Sequence, residues 1–145
     1  MRVAAVMIAM VAMSSCDALP RDPDNTLDRI RHERTLRVGI MPLDAAQRLK
    51  GAALVEKIAL QTGARPHRIH VSGEAAFAAL DTGQLDLVIG AFDKASPWKA
   101  QVAFGPPLAQ SGTEDHPVLL RAAMRNGENR WIMLVEDASR SVRPQ

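Results

Sequence analysis

The chain has 145 residues, of which 47% are hydrophobic and 23% are charged. This length and composition are typical of one globular domain, and they exclude collagen-like, low-complexity and wholly disordered chains. The 18 basic and 16 acidic residues are interleaved along the chain, so no basic stripe forms and nucleic acid is not an expected partner. One cysteine excludes a disulfide framework and a cysteine-based zinc cluster.

The first residues have the pattern of an export signal. Arg2 is followed by an apolar run over residues 3–13 and then by two serines. The run is much shorter than the roughly 20 apolar residues that a membrane-spanning helix needs. We therefore interpret residues 1–15 as a signal peptide. The alternative is that these residues are the start of a cytoplasmic protein and that the cysteine follows them by chance.

The signal ends in MSSC, which resembles the bacterial lipobox and places the cysteine at Cys16. The resemblance implies that Cys16 becomes the lipid-modified N-terminus, so that acyl chains hold a periplasmic protein at a membrane. Asp17 resembles the residue that retains such lipoproteins at the inner membrane. Residues 16–25 contain two prolines and are predicted to be a short extended tether.

From Thr26 onward, short strands alternate with helices. Helices are predicted over 26–33, 51–62, 72–80 and after residue 129, and strands over 36–40, 67–71, 85–92 and 117–124. The nearly continuous apolar strand over 85–92 is typical of a sheet that is covered on both faces. Residues 110–116 are predicted to form a polar loop. This order predicts an α/β fold with an open, mostly parallel sheet and helices on both faces.

Three passages resemble the amino-acid type (family 3) of the periplasmic solute-binding proteins that serve ABC transporters. They are TLDRIRHERTLRVGI, the stretch from GAALVEK to LDLVIGAF, and QVAFGPPL. Members of that family have two α/β lobes that enclose the ligand between them. Since the sequence passes from the first lobe almost directly to the family's closing elements, the resemblance implies a single periplasmic-binding-protein-like lobe over residues 26–145.

The resemblance also indicates where a ligand would lie. The family's arginine, which holds the ligand carboxylate, falls on Trp98, and its threonine falls on Ala95. Binding of an α-amino acid is therefore not carried over. The candidate ligand- or partner-facing residues are Met41, Gly90, Ala91, Phe92, Asp93 and Trp98. Trp98 has two interpretations: it fills the vacated cleft as core, or it is an aromatic anchor for a protein partner.

Other polar residues do not suggest a reaction. His67 and His70 point to opposite faces of a strand, so they do not predict a metal site, and His116 does not complete one. Asp86 has a structural role in the family that the chain resembles. The chain has no nucleophile elbow and no glycine-rich phosphate loop. We expect neither a catalytic residue nor a cofactor, and hence no enzyme.

The expected protein is a membrane-anchored, periplasmic, solute-binding-protein-like lipoprotein that is accessory to the transport of a small polar solute. A second copy of the chain, as in a homodimer, or an inner-membrane transporter or sensor would then supply the missing wall of the site. The alternative is an interaction module that no longer binds a solute and contacts an inner-membrane protein. A degenerate gene remnant is a third interpretation.

Overall fold

The structure is a computed structural model that describes residues 22–143. Its helices are α1 (Thr26–Glu33), α2 (Ala45–Thr62), α3 (Gly73–Asp81) and α4 (Asn129–Ser141), with a short 3-10 helix at Pro97–Ala100. Its strands are β1 (Thr35–Ile40), β2 (Arg65–His70), β3 (Leu87–Asp93), β4 (Val102–Phe104), β5 (Ala109–Gly112) and β6 (Pro117–Arg125). Each helix and strand that the sequence predicts is present.

The six strands form one open sheet in the order β2-β1-β3-β6-β4, and β5 also pairs with β6. Strand β1 is parallel to both β2 and β3. Strand β6 is antiparallel to β3, β4 and β5. Every strand of the sheet except β6 therefore points the same way. This confirms the open, mostly parallel sheet predicted from the sequence.

Helices cover both faces of the sheet, as predicted. On one face, α1, α2 and α4 pack on apolar residues of β1, β3 and β6, and the largest buried side chain there is Trp131. On the other face, α3 packs through Phe77 and Leu80 onto Val88 and Phe92 of β3. Each of these buried apolar side chains contributes about 1.5–3 kcal/mol, so the two clusters hold the layers together.

The larger differences from the sequence prediction are at α2 and β5, and β4 is a short strand that the sequence analysis does not predict. Helix α2 begins at Ala45 and not at residue 51, because Asp44 and Gln47 form a capping box in which each side chain accepts a hydrogen bond from the backbone of the other. The prediction of a loop over residues 110–116 is wrong for its first part. Residues 110–112 belong to β5, an exposed edge strand whose sequence has no alternating apolar pattern and which is held by backbone pairing with β6.

Residues 22–25, which the sequence analysis places in the tether, lie against the lobe. Asp22 is 4% exposed, and its carboxylate accepts a hydrogen bond of 2.7 Å from the backbone N–H of Arg130. Glu128 is 1% exposed and accepts bonds of 2.8 Å from the N–H groups of Asp24 and Thr26. The Asp22 carboxylate thus satisfies an N–H group in the first turn of α4, and the Glu128 carboxylate satisfies N–H groups at and just before the start of α1. We call Asp22 and Glu128 the carboxylate clamp.

Candidate functional site

The carboxyl ends of β1, β2 and β3 meet at one edge of the sheet. Open α/β sheets bind ligands in the crevice outside this edge. An open cavity of about 460 Å³ lies there, within the usual range for small-molecule sites. It is lined by Ile40, Pro42, His70, Val71, Ser72 and Ala75. We call this the edge cavity.

Three of the predicted site residues come together beside it. Met41 directly follows β1, and its backbone N–H donates to the carbonyl of Ile89 at 3.0 Å. The Met41 Sδ and the Phe92 Cζ lie 2.7 and 2.6 Å from the point where a Cβ on Gly90 would be. Gly90 therefore leaves the space that Met41 and Phe92 fill.

The other predicted residues of this strand lie apart from that group. Ala91 is half-buried and follows the strand alternation to the opposite face. Asp93 is exposed, and its Oδ1 accepts a hydrogen bond of 2.6 Å from the backbone N–H of Ala95. This bond is local, so the Asp93 carboxylate turns the chain out of β3.

Trp98 lies on the 3-10 helix and packs on α3. Its ring stacks on Phe77 with centroids 4.4 Å apart and an interplanar angle of 18°, and Phe77 is 5.9 Å from Phe92. Phe92 is in turn 4.9 Å from Phe104. Trp98 is partly exposed and also lines a cavity of about 490 Å³ with Glu74 and other α3 residues. It therefore joins the aromatic core at one end and faces solvent at the other.

Arg121 is the residue of the site that the sequence analysis missed. It pairs with Gly90 across the sheet and is 8% exposed. Its Cζ lies 4.1 Å from the centroid of the Phe104 ring, and its Nη2 donates to the Asp93 carbonyl at 3.4 Å. Its Nε is buried without a hydrogen-bond partner in the described residues. Burial lowers the pKa of Arg121 below its usual value.

A cavity of about 580 Å³ lies next to this arginine at the end of β3. Its lining has both signs of charge and consists of Asp93, Lys94, Ala95, Lys99, Glu114, Asp115, His116 and Pro117. Arg121 does not line this cavity and is connected to it by its hydrogen bond to the carbonyl of Asp93. The residues that line the cavity therefore carry charges of both signs, whereas the neighbouring Arg121 is positive.

Asp86 lies at the opposite edge of the sheet, just before β3. It is 3% exposed, and its carboxylate accepts hydrogen bonds from the Arg29 side chain and, at 2.8 Å, from the Arg37 N–H. Its backbone carbonyl accepts a bond of 2.8 Å from Trp131 Nε1. Each oxygen is thus engaged in holding α1, β1 and α4 in place, which agrees with a structural role.

Residues 22–143 contain no group of three or more histidine, cysteine or acidic side chains that could hold a metal ion. No helix in that range is long and apolar enough to cross a membrane. Cys16, the predicted lipidation site, lies outside the described residues.

No protein-family model and no curated protein matches the chain. Solved structures do. The arginine-bound form of domain 1 from TmArgBP aligns with a TM-score of 0.65 and 18% identity, over 79% of this chain and 98% of that one. AncCDT-1, an ancestral amino acid-binding protein described as a precursor of cyclohexadienyl dehydratase, aligns with a TM-score of 0.68 and 14% identity, over 80% and 92%.

The VFT2 domain of Bordetella pertussis BvgS aligns with a TM-score of 0.64 and 13% identity, over 85% of this chain and 94% of that one. At these identities the likeness shows the fold. The chain has the fold of a single periplasmic-binding-protein-like lobe, which confirms the fold class that the sequence resemblance implied.

Proposed function

We propose that the chain is a periplasmic, solute-binding-like lobe, held at the inner membrane through Cys16 and accessory to the transport of a small solute. In this proposal it binds and does not catalyse. The observation that carries it is that one of its structural neighbours is a single domain described in its arginine-bound form. That neighbour supports the view that one lobe of this fold is enough to hold a small solute.

The geometry of the sheet edge supports the same function. The edge cavity has a volume suited to a small solute. Its polar side chains are those of His70, the last residue of β2, and of Ser72 in the loop that follows β2. A transporter, a sensor or a second copy of the lobe would close the open side.

Thermal unfolding of the full chain, purified as its host produces it, tests the proposal. The panel is amino acids, organic acids, small sugars and phosphate, each at up to millimolar concentration. A ligand selective for the folded state stabilises it by RT ln(1 + [L]/Kd), so we expect one solute class to raise the melting temperature. If no solute raises it, the proposed solute binding is wrong.

Two matched variants indicate where the solute lies. Ala75→Phe places a ring in the edge cavity, whereas Ala46→Phe places one on an exposed position of α2 that lines none of the cavities described above. Both alanines are in the first turns of their helices. Loss of the solute response in Ala75→Phe alone assigns the solute to the edge cavity.

Trp98 favours one alternative function, that of an interaction module for an inner-membrane protein. Its ring is fixed by stacking on Phe77 and remains partly exposed, as in the aromatic anchors of protein interfaces. This alternative predicts that no solute stabilises the chain and that crosslinking to a membrane partner in the native membrane is lost in Trp98→Ala. Solute stabilisation together with unchanged crosslinking in Trp98→Ala would exclude it.

A further inference from the structure

Helix α2 is apolar on its outward face as well as on the face that packs on the sheet. The centre of the outward face consists of five exposed residues at helical spacing, which are Leu49, Ala52, Ala53, Glu56 and Leu60. Leu49 is 74% exposed and Leu60 is 81% exposed. A helix that is apolar on all sides is typically buried on all sides, but no described residue covers these five. We call them the α2 stripe.

The α2 stripe is complementary to a second copy of itself. A twofold axis through its middle aligns two antiparallel copies of α2 so that Leu49 of each copy lies opposite Leu60 of the other. The same axis places Ala53 opposite Glu56. The small side chains of Ala52 and Ala53 lie at the centre, where they let two helices approach closely. Each end of the contact is then closed by a pair of leucines.

The charges on α2 are complementary in the same arrangement. Lys50 and Lys57 lie three residues before and four residues after Ala53, so they flank the position that Glu56 of the other copy faces. Neither lysine has an ion-pair partner in the described part of the chain. Glu56 pairs with Arg68 of its own chain through Oε1, and its side chain is 61% exposed. Its Oε2 is therefore available to the lysines of the other copy.

We propose that the α2 stripe is the interface of a symmetric dimer of this chain. A second copy suits the stripe better than a bilayer does, because the central carboxylate of Glu56 would meet anionic headgroups in a membrane, whereas a second copy supplies lysines. None of the stripe residues lines the edge cavity, so a copy bound here leaves that cavity open. The inference goes beyond the proposed function and does not depend on solute binding.

Disulfide crosslinking of the purified full chain tests the dimer. Ala53→Cys places the thiols of two copies near the twofold axis, and Ala78→Cys is the matched control at an exposed alanine of α3. One helix pair is a small interface, so we expect a dissociation constant in the micromolar range and use the chain at about 0.1 mM. Under mild oxidation we expect Ala53→Cys to form a linked dimer at least about fivefold faster than Ala78→Cys. The unaltered chain gives the background from Cys16.

Exchanged charges test the contact between Glu56 and the two lysines. Glu56→Lys brings like charges together across the axis, and so does the double variant Lys50→Glu with Lys57→Glu. We therefore expect each of these chains alone to dimerise about 10-fold more weakly than the unaltered chain in sedimentation equilibrium. An equal mixture of the two restores opposite charges at both contacts, so we expect it to regain the affinity of the unaltered chain. A loss of folding in either variant cannot produce this recovery.

Each outcome decides the inference. Sedimentation of the unaltered chain needs no variant, and a chain that stays monomeric at that concentration overturns the dimer. The α2 stripe is also not the interface if Ala53→Cys crosslinks no faster than Ala78→Cys, or if the mixture dimerises as weakly as its components. A monomeric chain that binds phosphatidylglycerol vesicles, and loses this binding in Leu49→Lys, would assign the stripe to a bilayer and overturn the proposal.

Discussion

The carboxylate clamp offers a direct test of what holds the N-terminal segment on the lobe. In Glu128→Gln, the amide oxygen accepts from one of the N–H groups of Asp24 and Thr26, and the amide N–H₂ then faces the other donor. One hydrogen bond to a charged group is lost, at about 1.5–3 kcal/mol, and a buried N–H is left unpaired, at about 1–3 kcal/mol. Because part of the segment rearranges toward solvent, we expect the free energy of unfolding to fall by about 2–4 kcal/mol.

Urea unfolding followed by tryptophan fluorescence measures this loss, since Trp131 is wholly buried beside the clamp on α4. Glu136→Gln, on the helix that Glu128 precedes, is the matched control. Glu136 pairs with Arg140 on the surface at 3.4 Å, and such pairs contribute about 0.3–0.5 kcal/mol. If Glu128→Gln costs no more than Glu136→Gln, the clamp does not stabilise the fold and our account of it is wrong.

Three further predictions concern the site and the surface. Gly90→Val forces apart the side chains that pack over Gly90, and we expect overpacking to cost about 1–3 kcal/mol in urea unfolding; an unchanged midpoint would contradict the packing described. Trp98→Ala loses the stack on Phe77, and we expect the free energy of unfolding in urea to fall by about 1–3 kcal/mol; an unchanged midpoint would contradict a stabilising role of the stack. The hydrogen bond from Arg130 holds the pKa of Asp28 below its ordinary value. The stabilisation that the Asp28 carboxylate provides is therefore present above the ordinary pKa and is lost as the pH falls through the lowered pKa. An acid unfolding curve that is unchanged in Asp28→Asn would refute this.

Periodicity was enough to predict the layers of the fold because each layer depends on local patterns. The strand over 85–92 is apolar throughout, and helix α2 shows its buried stripe at Leu54 and Ile58. The start of α2 was not predicted because its first turn is exposed and is defined by the Asp44 cap. Strand β5 was not predicted because it is a polar edge strand that is held by backbone pairing with β6. A local sequence pattern gives no sign of such pairing.

The candidate site was predictable only where the family resemblance supplied positions. It pointed to Met41, Gly90 and Phe92, and the structure brings these three together. Arg121 carried a signal of its own, an arginine in the middle of the apolar stretch VLLRAAM. That signal shows a charge in a strand, but the depth of its burial depends on the glycine opposite and on Phe104, which are distant in sequence. The clamp likewise joins residues more than a hundred positions apart.

If Cys16 carries the proposed lipid anchor, the position of the clamp also limits how far the lobe can travel from the membrane. With Asp22 fixed on α4, the chain between the proposed anchor at Cys16 and the lobe is six peptide steps. An extended chain spans at most about 3.3–3.6 Å per residue, so the lobe stays within about 20 Å of the headgroups. Its search for a partner is then confined to a thin layer over the bilayer, where a short linker produces effective concentrations of the order of millimolar. Under that confinement, even a weak affinity is sufficient for the lobe to bind a transporter or sensor in the same membrane.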